Sequence, residues 1–334
     1  MLHSSFRLDF KTLNIAIMRK VTSYFYAGLI AFGAVTAKLQ AQPKDDLKGN
    51  ISISGAFALY PLTVKWAEEF KKLHPGVKFD ISAVGAEKGM TDALAKMVDI
   101  GLVSREVSPE EVKKGALAIA VTKDAVVPTA SASNPNLKDI LANGLDHDAA
   151  VNVFITGKAK TWGQALGTKS AIPIRVYTRS DACGAGETWA KYLGKKQEDL
   201  LGVGVFGDPG LAQAVTKDPQ GIAYNNIGYA YDSKTKKPNP GVVVVPLDVN
   251  NNGKIDPEES FYETQDKLVK AIAEGKYPSP PARDLYFVTF GKPVKKELVE
   301  FIRWSLTEGQ KYVFDSGYIN LPKEKLDAGL LKIK

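Results

Sequence analysis

The stretch at residues 172–193 most narrows what this chain can fold into. A strand-like run at 172–177 leads into Arg179 and Asp181. A turn of small residues follows at 182–186, and a helical pattern then begins with Glu187, Thr188, Trp189, Tyr192 and Leu193. Glycine at a strand-to-helix turn lets backbone N–H groups converge on one point, and the helix N-terminus adds a favourable potential for an anion. Arg179 can offer a bidentate fork to an oxyanion, with Asp181 orienting it or accepting a proton from the ligand. The competing reading is a surface Arg–Asp pair of purely structural use. Spacing alone leaves both open.

The same alternation runs through the chain. Strands are expected at 50–54, 77–82 and 100–103, with helices at 62–73 and 90–97; His74-Pro75-Gly76 stops the first helix. Strands alternating with helices argue for a mainly parallel sheet covered on both faces. Segments 116–122 and 125–130 carry the chain towards a second lobe, which begins with 134–140 and 152–156. A core strand at 174–177, a helix at 211–215 and a returning strand at 222–225 build it. After Pro278-Ser279-Pro280-Pro281 the chain crosses back, through 285–289 and helices at 295–306 and 308–316. Two crossings between lobes make a hinge. In open α/β sheets the ligand sits beyond the carboxyl ends of the strands, where the candidate loops lie.

Residues 177–189 resemble the R-x-D-G-S-G-T-x-x-x-F stretch of the phosphate-binding proteins that serve ABC importers. Further matches follow in order: Ser54-Gly55-Ala56-Phe57-Ala58-Leu59-Tyr60-Pro61-Leu62 with Trp66, and Val98-Asp99-Ile100-Gly101-Leu102-Val103-Ser104-Arg105. Ile155-Thr156-Gly157-Lys158 with Thr161-Trp162, Gly221-Ile222-Ala223-Tyr224, Tyr286-Phe287-Val288-Thr289 and Gly309-Gln310-Lys311-Tyr312-Val313 with Gly317-Tyr318 complete the set. The resemblance implies a type II periplasmic substrate-binding protein with an α/β, two-lobed fold. Each lobe would be a mainly parallel sheet flanked by helices. Lobe one would comprise residues 48–127 and 283–334, and lobe two residues 128–282.

It also implies a binding function rather than an enzyme. The protein would capture phosphate or a related oxyanion in the interlobe cleft and deliver it to importer membrane subunits. The ligand-binding positions carried over are Ala56, Phe57, Ala58, Gly85, Ala86, Ser104, Arg105, Arg179, Asp181, Cys183, Gly184 and Ala185. Arg179 would clamp charge, Gly184 would donate a backbone N–H, and Ser104 and Arg105 would close the cleft from lobe one; a lobe–lobe salt bridge is the other reading of Arg105. Phe57 reads as a lid or as core. The departures are as informative. Ala56, Phe57, Ala86, Glu87, Cys183 and Ala185 stand where the family places hydroxyl or small residues, so at least four hydroxyl donors are missing. Each missing charged hydrogen bond costs roughly 1–3 kcal/mol. Two alternatives stay open: the same fold binding a different organic anion, or a calcium-stabilised surface protein with a vestigial cleft.

At 334 residues the chain is long enough for two lobes. Its net charge of +7 is inflated by residues 1–41, which carry five Lys or Arg against Asp9 and leave +3 for the rest. No basic patch interleaved with aromatics calls for nucleic acid. Met18-Arg19-Lys20 followed by an apolar run at 24–37 reads as a signal peptide ending by residue 41, with 1–17 an extended leader or an early start. The mature protein is therefore expected to be soluble and periplasmic, or otherwise exported. No cysteine stands directly after the apolar run, which argues against a lipoprotein anchor. Cys183, the only cysteine, forms no internal disulfide. It reads as a buried small residue in place of serine, or as a thiolate stabilised beside Arg179 at a helix N-terminus. No general-base pair, catalytic metal set or nucleophile elbow is visible, so no enzyme is expected.

Residues 248–259 form a second, independent motif. Asp248, Asn250, Asn252, Asp256 and Glu259, with the carbonyl of Lys254, fit the calcium loop D-x-N-x-N-G-x-I-D-x-x-E at every position. Gly253 permits the sharp turn and Ile255 anchors the loop. The competing reading is a polar Asn/Gly turn. Paired EF-hand helices are not expected, because 241–247 is strand-like. The EF-hand-like loop is read as a structural calcium clip on lobe two, outside the cleft.

Overall fold

The computed structural model describes residues 47–334; the expected signal peptide lies outside them. Elements follow the order β1 (Lys48–Gly55), α1 (Tyr60–Leu73), β2 (Gly76–Ala83), α2 (Ala86–Leu94), β3 (Ile100–Val103), α3 (Pro109–Lys113) and β4 (Ala116–Ser131). Then come α4 (Leu137–Asn143), α5 (His147–Phe154), α6 (Trp162–Leu166), β5 (Arg175–Arg179), α7 (Gly184–Tyr192), β6 (Val203–Val205), α8 (Gly207–Lys217) and β7 (Gly221–Asn226). The chain closes with α9 (Ile227–Ala230), β8 (Val242–Val244), α10 (Gln265–Ala273), β9 (Ala282–Phe290), α11 (Lys296–Leu306) and α12 (Lys323–Ile333).

Local chemistry sets the boundaries. Pro61 enters the first turn of α1, where a missing N–H costs nothing, and Pro75 follows just after its end. The buried stripe of α1 is Leu62, Thr63, Trp66, Ala67 and Phe70. Two segments expected separately, 116–122 and 125–130, are one 16-residue strand, β4. The expected helix at 308–316 is a short 3-10 turn, Glu308–Tyr312.

The strand order is β2-β1-β3-β9-β4-β7-β5-β6, with β8 on β4. Pairing is parallel away from the crossing, in β2-β1-β3 and in β7-β5-β6. It is antiparallel wherever β4 or β9 takes part. The N-terminal half of β4 pairs with β9, and residues from Val126 onward pair with β7. One long strand therefore threads two sheets.

Two hydrophobic cores flank this crossing. The first holds Trp66, Phe70, Phe287, Phe301 and Trp304 and draws its residues from 51–121 and 285–333. The second holds Phe154, Trp162, Trp189 and Tyr224 and spans 125–282, with Ile319 added. The cores change over at Val121–Ala125 on β4 and Ala282–Leu285 on β9. Each fully buried side chain of this size contributes about 1.5–3 kcal/mol. We call the two halves the first and second lobes.

Candidate functional site

The loops after β1, β3 and β5 leave the carboxyl ends of their strands and meet where the lobes touch. Arg179, the last residue of β5, is buried. Its Nε donates to Asp181 Oδ1 at 2.8 Å, its Nη2 donates to Asp181 Oδ2, and its Nη1 donates to Asp208 Oδ2 at 2.6 Å. Three of its five N–H groups are thereby engaged, leaving two. Burial works against the charge, yet the Asp208 and Asp181 carboxylates outweigh it and raise the guanidinium pKa above its usual value. Asp181 goes the other way: burial opposes its charge, but Arg179 and the Gly207 amide at 3.1 Å hold its carboxyl below the usual range.

At the head of α7, Cys183 is the N-cap. Its Sγ accepts the Gly186 amide at 3.2 Å and its carbonyl accepts that of Glu187 at 3.0 Å. The amides of Gly184 and Ala185 remain at the helix head as donors. Burial pushes the thiol pKa up to about 12, which favours the reading of Cys183 as a buried capping residue over that of a stabilised thiolate. Gly184 is required by contact. A Cβ there would stand 2.3 Å from Ser104 Oγ across the lobe boundary.

From the first lobe Phe57, Gly85 and Ser104 reach this point, whereas Ala56, Ala58 and Ala86 are part of that lobe's hydrophobic core. Ala56, Ala58, Ala86 and Ser104 are buried. Gly85 is the N-cap of α2 at φ 100°, a conformation L side chains rarely adopt, and faces Asp181 and Ala182 of the other lobe. The Phe57 ring lies over Arg179, 5.5 Å from ring centre to Cζ, and packs edge-on against Phe206 and Tyr229. Tyr229 donates its hydroxyl to the Phe57 carbonyl at 3.3 Å. Phe57 is only partly buried and belongs to neither core.

Arg105 does not fit the ligand-gripping role expected for it. Its Nε and Nη2 donate to Glu87, its Nη1 and Nη2 donate to Glu111 at 2.9 and 2.7 Å, and Nη1 also donates to the Glu106 carbonyl. All five N–H groups are engaged. Glu187 of the second lobe adds an ion pair at 3.2 Å, so the salt-bridge reading fits the geometry. Burial raises the Glu187 pKa even with Arg105 beside it. A groove of about 590 Å³ opens between Glu87, Arg105 and Glu111 on one side and Cys183, Glu187 and Gln197 on the other. Neither Arg179 nor Phe57 lines it.

Asp208, Asn226 and Arg283 were not legible as site residues. Asp208 sits in Gly207-Asp208-Pro209-Gly210, which reads as a turn, and Arg283 follows a proline-rich run. Asp208 is fully buried and accepts both the backbone and the side-chain amide of Asn226, at 3.1 and 2.8 Å.

The 248–259 loop lies apart from this site and is tied to α4 through the Ile255 amide, which donates to the Ala142 carbonyl at 2.7 Å. Asp248 accepts the amides of Asn252 and Gly253, and Glu259 accepts those of Val249, Asn250 and Asp256. Asp256 accepts Lys254, Asn252 and Asn250, which hold its carboxyl down at about 2. Among the described residues, no three His, Cys, Asp or Glu side chains are already grouped to hold a metal ion. Asparagine and backbone oxygens would have to complete the set.

A model of the PBP superfamily domain matches residues 40–308. Phosphate-binding protein PstS of Bacillus subtilis is 27% identical over 290 residues, covering 86% of this chain and 85% of its own. Its Pseudomonas aeruginosa namesake is 26% identical, covering 93% and 96%. Among solved structures, a Clostridium perfringens chain described as a phosphate ABC transporter substrate-binding protein with bound phosphate superposes with a TM-score of 0.67. It is 22% identical and covers 82% of this chain and all of that one. An ABC-type phosphate transport receptor from Vibrio cholerae gives 0.59 at 19% identity, covering 81% and 100%. These likenesses fit the two-lobed architecture.

Proposed function

Because the chain belongs to the PBP superfamily, we propose that it is the exported phosphate receptor of an ABC importer. The lobes would close over phosphate between the two remaining N–H groups of Arg179 and the amides at the head of α7. The observation that carries this reading is the pairing of a buried, charge-held guanidinium with spare donors and a helix N-terminus beside it. Relatives of near-equal length are named for phosphate binding. Backbone N–H groups would replace the absent hydroxyls, so selectivity would rest on Arg179 and Asp181. No residue here is proposed to do covalent chemistry.

Export and delivery to membrane subunits belong to the same proposal. No helix among the described residues is long and apolar enough to cross a membrane. Isothermal titration of the purified protein with phosphate, after prebound ligand is removed, tests the reading. Micromolar or tighter binding supports it, and absence of heat at millimolar phosphate overturns it.

We also propose that the 248–259 loop is a calcium clip. Asp248 and Glu259, both buried, already draw the loop amides inward, and the oxygens of Asn250, Asn252, Asp256 and Lys254 complete the motif. Calcium at 100 times its Kd would add about 2.7 kcal/mol of stability. EDTA should lower the Tm, and Glu259→Ala should abolish the calcium dependence. A Tm indifferent to calcium in the unsubstituted protein rejects the clip.

A further inference from the structure

The crossing between the lobes is joined to Arg179 by an unbroken run of buried polar contacts. Asp124 on β4 and Arg283 on β9 face each other in register, where the two cores change over. Arg283 Nε donates to Asp124 Oδ1 at 3.0 Å. Its Nη1 donates to the Gly184 carbonyl and to Thr188 Oγ1 at 2.8 Å, both in the first turns of α7, and its Nη2 donates to Asn226 Oδ1. Asn226, which ends β7, passes its side-chain amide to Asp208 Oδ1 at 2.8 Å. The other oxygen of Asp208 takes Arg179 Nη1 at 2.6 Å. Asp124, Arg283, Asn226, Asp208 and Arg179 are all buried.

We infer that Arg283 and Asn226 are positioning residues that set the anion clamp from the lobe crossing. Neither needs to touch a ligand. Arg283 holds the first turn of α7, and hence the amides at its head. Through Asn226 and Asp208 it also fixes which Arg179 N–H groups are consumed and which two stay free. A guanidinium reaches four acceptors on three elements in one plane, which an ammonium cannot. Buried polar groups joined in this way act as a unit, and their energies are not additive. A change of angle at the crossing would therefore reach both donor sets of the site together.

The inference rests on the phosphate-receptor reading, and a double-mutant cycle separates the two. Phosphate affinity is measured by titration for the purified protein, Arg179→Lys, Asn226→Leu and the double variant. Asn226→Leu should weaken binding at least tenfold in the unsubstituted background. In the Arg179→Lys background, whose fork is already lost, it should weaken binding less than threefold. Factors that multiply, or an Asn226→Leu protein that binds like the parent, overturn the positioning role alone. A parent that binds no phosphate, or an Arg179→Lys protein that binds like the parent, overturns the phosphate reading and this inference with it. General destabilisation lowers the ligand-free Tm but produces no such non-additivity. If Asn226→Leu does not fold, Arg283→Lys replaces it in the cycle. It keeps the counter-charge for Asp124 but cannot reach Gly184, Thr188 and Asn226 at once.

Discussion

Two arginines meet at the lobe boundary, and they are spent differently. Arg179 is buried between two aspartates, uses three N–H groups and keeps two. Arg105 is held by Glu87 and Glu111 of its own lobe and by Glu187 of the other, and keeps none. Both lie in family-like motifs, so residue type does not separate them. What separates them is the count of donors left after the protein's own carboxylates are served. Arg179 keeps N–H groups that an anion could use; Arg105 keeps none and pairs across the lobes with Glu187.

The largest effect should come from substituting each arginine by lysine, which keeps the charge and removes the fork. Arg179→Lys should weaken phosphate binding about 100-fold, in line with about 1.5–3 kcal/mol for each charge-assisted hydrogen bond lost. Arg105→Lys should change it less than threefold. Equal losses in titration would erase the distinction between a clamp and a latch.

Of similar size is the effect on the latch's own stability. Arg105→Met leaves three carboxylates without their counter-charge, at a cost of about 3 kcal/mol, the low end for a broken buried pair because Glu87 and Glu187 are partly exposed. Burial opposes the Glu111 charge, but Arg105 holds its pKa below the usual range. That stabilisation is present above the unfolded carboxylate range and lost as pH falls through the lowered pKa. Glu187 has a raised pKa, so its contribution runs the other way and fades as pH rises. The Tm deficit of Arg105→Met against the parent should therefore be several degrees at pH 7 and shrink towards pH 4. A deficit that grew on acidification would contradict the pairing.

These contrasts mark where sequence reading stopped. The strand–helix alternation, the turn after Arg179 and the lobe crossing near Pro278 were legible because each rests on local pattern and punctuation. Apart from Asp181, the partners of the arginines were not. Asp208 is 29 residues from Arg179, and Arg283 is 57 from Asn226 and 95 from Thr188; only the fold brings them together. Glu87 was visible as a departure from the family pattern, but its use as the Arg105 partner depends on α2 and the loop after β3 sharing one face. Segments 116–122 and 125–130 read as two strands, yet β4 runs unbroken between the cores through Lys123 and Asp124.

The cap of α7 sharpens the comparison on the Arg179 side. Cys183→Ser keeps a side-chain acceptor for the Gly186 amide and adds a stronger donor beside the Arg179 fork. Phosphate affinity should rise about fivefold, matching roughly 1 kcal/mol for one added hydrogen bond. In the unsubstituted protein the thiol is buried with its pKa pushed up to about 12, so alkylation at pH 8 should be slow until the protein is unfolded. Fast labelling of the folded protein would restore the thiolate reading.

The smallest expected effect concerns the lid reading of Phe57. Tyr229 of the second lobe donates its hydroxyl to the Phe57 carbonyl at 3.3 Å, on the Arg179 side of the boundary. A neutral hydrogen bond contributes about 0.5–1.5 kcal/mol, and this length belongs at the low end. Tyr229→Phe keeps the ring that meets Phe57 edge-on, so only the hydroxyl's share is removed. Phosphate should bind about twofold more weakly, mainly through faster release, because the contact joins the two lobes. If Phe57 were merely core, the same substitution would lower the Tm and leave the dissociation rate unchanged. Stopped-flow displacement and thermal melting on one preparation distinguish these outcomes.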